Sequence, residues 1–215
     1  MMLPAFYPIL DADRVSAVPA AEAMLEAGAR ILQFRHKSFF SREAFEEASR
    51  ISELCRRAGA LFVVNDRADV AMLLNAALHL GQDDLAPSDA RRILPSSSII
   101  GFSTHNEQQL LAGDLEPIDY LAIGPIFATG SKQNPDPVVG LDRLRTMRPL
   151  TKIPLVAIGG ITRELAPQVF KAGADAVAVI GDLIPSPCTP ASLRARAEDW
   201  IAISAGARDA AKLRE

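Results

Sequence analysis

Short apolar runs alternate with amphipathic stretches along the whole chain. Ala5–Leu10 reads as a strand and Pro19–Gly28 as a helix that stops at Gly28. Ile31–Arg35 is a second strand. Ser41 can cap the next helix, which carries Ala44, Phe45, Ala48, Ile51, Leu54 and Cys55 on one face and stops at Gly59. Leu61–Asn65 opens with four apolar residues in a row, as suits a strand buried on both faces. Further strands are expected at Ala77–Leu80, Ile99–Ser103, Tyr120–Gly124, Leu155–Gly159 and Ala176–Ile180. Helices are expected at Ala68–Asn75, Ser88–Leu94, Glu107–Ala112, Leu141–Met147, Glu164–Ala172 and Ala191–Ile203, with an irregular stretch over Pro125–Gly140. Eight strand–helix units imply a parallel sheet. Their spacing of roughly 25 residues suits a compact α/β fold, the (β/α)8 or TIM barrel. A doubly wound open sheet is the competing architecture, but the first strand–helix turn lacks G-x-G-x-x-G. No Pro/Gly/Ser-rich linker divides the chain, so one barrel domain is expected over residues 1–205, with a frayed tail at 206–215.

Composition narrows the class. Of 215 residues, 49% are hydrophobic and 23% charged, which excludes a disordered chain. The net charge of −3 argues against a general nucleic-acid-binding surface. Two cysteines, Cys55 and Cys188, make neither a disulfide framework nor a four-ligand zinc site. No apolar run approaches the ~18 residues that span a bilayer. The N-terminus has no basic start followed by an apolar core. A soluble cytoplasmic protein without membrane partners is expected, and a homo-oligomer is left open.

In such a barrel the chemistry gathers at the C-terminal strand ends. Gln33, Arg35 and Lys37 alternate, so in extended backbone they face one side. Two cations and an amide there fit a phosphate or diphosphate, and equally a strand end paired with acidic neighbours. Asp66 and Asp84 close two adjacent strands. They fit Mg²⁺ shared with substrate phosphates, or a pair of helix caps. Thr129-Gly130-Ser131-Lys132 can wrap an anion, close as a lid or lie open in solvent. Gly159-Gly160 and Gly181 follow strands 7 and 8, where barrels often bind phosphate on backbone N–H groups, though tight turns use the same residues. Two anionic groups in one mouth suggest two phosphorylated substrates or one bisphosphorylated one. His105 can shuttle a proton, cap a helix or pack under a loop. His79, inside strand 4, reads as a satisfied core histidine, and His36 points away from Arg35 and Lys37.

Seven segments in order carry a resemblance: ILQFRHK from Ile31, VNDRADVA from Val64, HLGQDD from His79, GFSTH from Gly101, DYLAIGPIFATGSK from Asp119, PLVAIGGI from Pro154 and GADAVAVIG from Gly173. Together they resemble the thiamine phosphate synthase family over nearly the whole chain. The resemblance implies a (β/α)8 transferase that joins a hydroxymethylpyrimidine diphosphate to a thiazole phosphate by a dissociative mechanism. It implies that Gln33, Arg35, Lys37 and Asn65 hold the pyrimidine diphosphate and that Asp66 and Asp84 bind Mg²⁺. Ser103 would contact the pyrimidine or the diphosphate, Thr129 and Ser131 the thiazole, and Lys132 the diphosphate. Gly160, Ile180 and Gly181 would line the thiazole-phosphate cup. Arg35, Lys37 and Lys132 would be the catalytic cations. The chain departs from the family pattern at Leu10 (usually Thr), His36 (Glu), Ser131 (Thr) and Gly181 (Ser). The alternatives are a thiazole tautomerase-like relative using His105, a non-catalytic phosphate-ligand-binding barrel, and an unrelated phosphate-binding epimerase or isomerase.

Overall fold

The computed structural model describes residues 3–130 and 136–213. Eight parallel strands close into a barrel in chain order. They are β1 (Phe6–Asp11), β2 (Ile31–Arg35), β3 (Leu61–Asn65), β4 (Ala77–Leu80), β5 (Ile100–Thr104), β6 (Tyr120–Ile123), β7 (Leu155–Ile158) and β8 (Ala176–Val179). The ring shuts where β1 pairs with β8, Phe6 opposite Val177. The intervening helices are α1 (Ala17–Glu26), α2 (Arg42–Ala58), α3 (Ala68–Leu74), α4 (Pro87–Ile93), α5 (Glu107–Gly113), α6 (Gly140–Met147), α7 (Ala166–Lys171) and α8 (Pro190–Lys212). This is the expected (β/α)8 architecture, and the open-sheet alternative falls away.

Period-two alternation divides the strands between two cores. One face of each strand packs outward under the helices, with Leu32, Phe34, Val64 and Leu78 meeting Met24, Ile51 and Trp200. The other face fills the barrel, with Tyr7, Ile9, Ile31, Val63, Tyr120 and Val156. Because Ile31 faces inward, period two turns Gln33 and Arg35 inward as well, at the C-terminal end of β2. The helix α2 begins and ends as its sequence indicates. Ser41 accepts a hydrogen bond from the Ala44 N–H, and Gly59 is left-handed at φ 63°.

Strand ends fall within one residue of the expected bounds. The last helix differs more. The sequence pattern predicts a stop at Ile203 and a frayed tail from residue 206, but α8 continues to Lys212. Gly206 does not break it, because the flanking alanines favour helix. The extension also has tertiary partners: Ala207 and Ala211 pack on the core, and the Arg208 guanidinium donates to the Leu3 carbonyl at 2.8 Å.

Candidate active site

A cavity of about 790 Å³ opens at the C-terminal mouth of the barrel. Gln33, Arg35, Lys37, Asn65, Asp66, Asp84, Ser103, Thr129, Gly160, Ile180 and Gly181 all line it. The structure therefore brings together every expected site residue among the described ones. Ser131 and Lys132 lie outside the described residues.

One wall of the cavity is charged. Arg35 reaches back across the β1–β2 seam and donates to Asp11 Oδ2 at 2.9 Å. Asp11 is buried and its Oδ1 has no hydrogen-bond partner. Lys37 Nζ meets Asp66 Oδ2 at 2.5 Å, and Asp13 receives the Lys37 backbone N–H at 2.7 Å. The cations of this strand end therefore do have acidic partners, and they stand at the rim of a large cavity.

Asp66 is held in a left-handed conformation, φ 65°, which few residues other than Gly, Asn and Asp adopt. Its N–H bonds to the His79 carbonyl at 2.8 Å, so the turn out of β3 is anchored on β4. Burial pushes the Asp66 carboxyl above its ordinary value, Lys37 pulls it down, and the neighbouring Asp84 pushes it up again. Asp84 is itself fixed by the Gly81 N–H at 2.7 Å. Two carboxylates this close, beside a cation, fit a divalent metal ion. Among the described residues no three His, Cys, Asp or Glu side chains gather into a metal set. A cation held here would take its remaining ligands from water and substrate, as magnesium commonly does.

The opposite wall is backbone. Gly160 has φ 64°, and a Cβ there would lie 2.4 Å from the Ala128 carbonyl oxygen. Only glycine lets the turn after β7 pass this close to the loop after β6. The Phe127 N–H to Gly159 carbonyl bond at 3.0 Å ties the same two loops together. Gly181 opens a single 3₁₀ turn after β8. Asp182 in that turn accepts from Trp200 Nε1 at 3.0 Å and Arg163 Nε at 3.2 Å, which holds the turn onto α8.

His105 is tethered rather than poised. Its Nδ1 donates to the Gly124 carbonyl at 2.6 Å, and its Nε2 lies 3.5 Å from Asp136. His79 is buried, and desolvation lowers its pKa to about 4, against an upward pull from Asp84. It is satisfied as expected, yet it also reaches the site: Nε2 lies 2.9 Å from Ser103 Oγ. The sequence reading missed Asp11, Tyr7, Tyr120 and Arg14, the last a further cation on the cavity wall. A signal was available for two of them. Tyr7 and Asp11 share the inward period-two face of β1 with Ile9, just as Gln33 and Arg35 share that of β2.

A family model described as thiamine monophosphate synthase matches residues 6–183. The chain belongs to that family. Among curated relatives, a thiamine-phosphate synthase of Koribacter versatilis (strain Ellin345) is 46% identical over 211 residues, covering 94% of this chain and 97% of the relative. One from Chloroflexus aurantiacus (strain ATCC 29366 / DSM 635 / J-10-fl) is 41% identical over 174 residues, covering 80% of each. Among solved structures, a thiamine phosphate pyrophosphorylase from Pyrococcus furiosus superimposes with a TM-score of 0.84 at 33% identity, covering 95% of this chain and 96% of that one. As a member of the thiamine phosphate synthase family the chain is a transferase. Among the described residues no helix is long and apolar enough to cross a membrane.

Proposed function

We propose that this cavity joins 4-amino-2-methyl-5-hydroxymethylpyrimidine diphosphate to 4-methyl-5-(2-phosphooxyethyl)thiazole, releasing thiamine phosphate and diphosphate. The observation that carries this reading is one cavity with two chemically different walls, one of charged side chains and one of backbone turns. Arg35, Lys37, Asp66 and Asp84 form the first, and the backbone turns at Gly160 and Gly181 form the second. Each phosphorylated substrate has a wall of its own, and the organic parts meet between them.

On the first wall Arg35, Lys37 and Asn65 hold the diphosphate, and Lys132 adds a third cation to it. Gln33 and Ser103 hold the pyrimidine. Asp66 and Asp84 would hold Mg²⁺, which when bound adds positive charge against the leaving diphosphate. On the second wall the N–H groups around Gly160, Ile180 and Gly181 receive the thiazole phosphate, while Thr129 and Ser131 orient its ring. Glycine at 181 removes a side-chain hydroxyl but leaves the N–H, which is the donor such cups rely on.

The reaction is dissociative. The bond from the pyrimidine methylene carbon to the diphosphate oxygen breaks, and its electron pair leaves with the oxygen. The thiazole nitrogen lone pair then closes the new carbon–nitrogen bond. Negative charge grows on the leaving group as this bond breaks, so Arg35, Lys37 and Lys132 stabilise the transition state more than the bound substrate. No proton has to be removed from the nucleophile, so the site needs no general base. The tethering of His105 to Gly124 and Asp136 accords with this and gives no support to a tautomerase role. Two free thiols, Cys55 buried and Cys188 exposed, accord with a cytoplasmic enzyme.

The test is a product assay. Purified protein is mixed with both substrates and Mg²⁺, and thiamine phosphate is followed by mass spectrometry. Product should form and should vanish with a chelator. Well-folded protein that makes none would overturn the reading.

A further inference from the structure

A hydrogen-bond chain crosses the barrel interior, and the reaction chemistry above leaves most of it unused. Gln33 Nε2 donates to the Tyr7 hydroxyl at 2.8 Å. The Tyr7 and Tyr120 hydroxyls are 2.8 Å apart. The Tyr120 hydroxyl is 3.0 Å from His79 Nδ1, and His79 Nε2 is 2.9 Å from Ser103 Oγ. Gln33 and Ser103, the two ends, line the cavity. Tyr7 and Tyr120 are buried between them, and His79, also buried, reaches the cavity lining beside Ser103.

Packing holds the chain in place. The Tyr120 ring stacks on His79 with centroids 5.5 Å apart and meets Tyr7 edge-on at 5.9 Å. A Cβ at residue 101 would fall 2.0 Å from Tyr120 Cζ, so glycine there makes the room the ring occupies.

Counting hydrogens couples the links to one another, and the Gln33 donor sets their direction. Each of its four links takes one hydrogen, each tyrosine has one O–H, and a neutral imidazole has one N–H. Gln33 supplies the first link. Tyr7 must then donate to Tyr120, and Tyr120 to His79 Nδ1. The ring hydrogen therefore sits on Nε2 and goes to Ser103 Oγ. With Gln33 as donor and the ring hydrogen on Nδ1, four hydrogens would crowd three links. A buried hydroxyl would then lack an acceptor, which folded proteins avoid. The two ends follow. Gln33 turns its Oε1 away from the chain as an acceptor, and the Ser103 oxygen, already accepting from His79, offers its own hydrogen to the cavity.

We propose that Tyr7, Tyr120 and His79 are positioning residues that set the polarity of the cavity wall, acceptor at Gln33 and donor at Ser103, and thereby select an aminopyrimidine over its oxo counterpart. This rests on the assignment of Gln33 and Ser103 to the pyrimidine. An aminopyrimidine edge offers an amine N–H beside a ring-nitrogen lone pair, which matches the two ends. The oxo form offers a carbonyl oxygen beside a ring N–H, which opposes both. Accommodating it requires reversal of the whole chain: the Gln33 amide turns, both tyrosine hydroxyls swing and the imidazole changes tautomer. A site built to hydrogen-bond one pattern discriminates strongly against the other.

Two measurements test this. In the full chain labelled with ¹⁵N-histidine, NMR should report His79 as the Nε2–H tautomer. The Nδ1–H tautomer would overturn the proposal, and this readout needs no turnover. In the second, kcat/KM is compared for the aminopyrimidine diphosphate and its oxo analogue, at fixed thiazole phosphate and Mg²⁺. Tyr7→Phe and Tyr120→Phe should each lower the amino-to-oxo ratio by about tenfold or more in folded protein, with some loss of stability from the buried partner left unpaired. A parallel loss toward both substrates, with the ratio unchanged, would make the tyrosines merely structural and overturn the proposal. Should Tyr120→Phe fail to fold, Tyr7→Phe still decides, since it leaves the space beside Gly101 filled. Absence of turnover with every pyrimidine diphosphate would instead overturn the assigned reaction, a failure separate from a wrong tautomer.

Discussion

Asp66 combines two demands that few residues meet together. Its backbone is left-handed at φ 65°, and its carboxylate stands beside that of Asp84 with burial raising its pKa. Asparagine tolerates the same backbone, so Asp66→Asn isolates the charge. This variant should keep the wild-type melting temperature and lose at least about 100-fold in kcat/KM, with a higher Mg²⁺ requirement, as steady-state kinetics over a metal titration would show. Because the raised pKa keeps a proton on Asp66 longer than on an ordinary aspartate, apparent metal affinity should also fall early as the pH is lowered. Gly160 faces the other substrate. Gly160→Ala places a Cβ 2.4 Å from the Ala128 oxygen and displaces the turn. The expected result is a KM for thiazole phosphate raised by about 10-fold or more, with the KM for the pyrimidine diphosphate little changed.

Among the elements, α8 is the one whose length the sequence pattern understated. Ending the chain after residue 205 removes the packing of Ala207 and Ala211 and the Arg208 bond to the Leu3 carbonyl. A loss of about 2 kcal/mol in urea unfolding is expected, with kcat preserved because this end lies away from the mouth. The helix was hard to read because Gly206 and the polar residues around it look like an ending, and only tertiary contacts carry the helix past them. The other elements were legible for a physical reason: a strand covered on both faces must be apolar throughout, and Leu61–Val64 or Ala176–Val179 has no alternative use. Site residues were legible where charge broke that pattern, as at Arg35, Lys37, Asp66 and Asp84. Tyr7 and Tyr120 were not, because a tyrosine inside a strand looks like ordinary core until its hydroxyl is seen to meet another. Asp11 was missed because its significance lies in the guanidinium opposite, a contact that depends on the register of β1 against β2.

For the molecule as a whole, the buried imidazole at the barrel centre links stability to pH. His79 has a pKa of about 4 in the fold against an ordinary 6.5, so between these values the unfolded chain takes up a proton that the native ring refuses. Its contribution is therefore complete above pH 6.5 and declines as the pH falls toward 4, by roughly 3 kcal/mol at 1.36 kcal/mol per unit. Urea unfolding of the wild type and of His79→Gln over this range should show a shallower slope for the variant, and equal slopes would refute the assignment. The closed ring has one further effect. The Val177 N–H bonds to the Ala5 carbonyl at 2.9 Å, and β1–β8 pairing leaves the sheet without a free edge. A second chain thus finds no strand to add to while the ring is shut, and aggregation has to wait for the barrel to open. Its onset should follow the unfolding rate, and Val177→Pro, which removes that donor, should hasten turbidity at temperatures where the wild type stays clear.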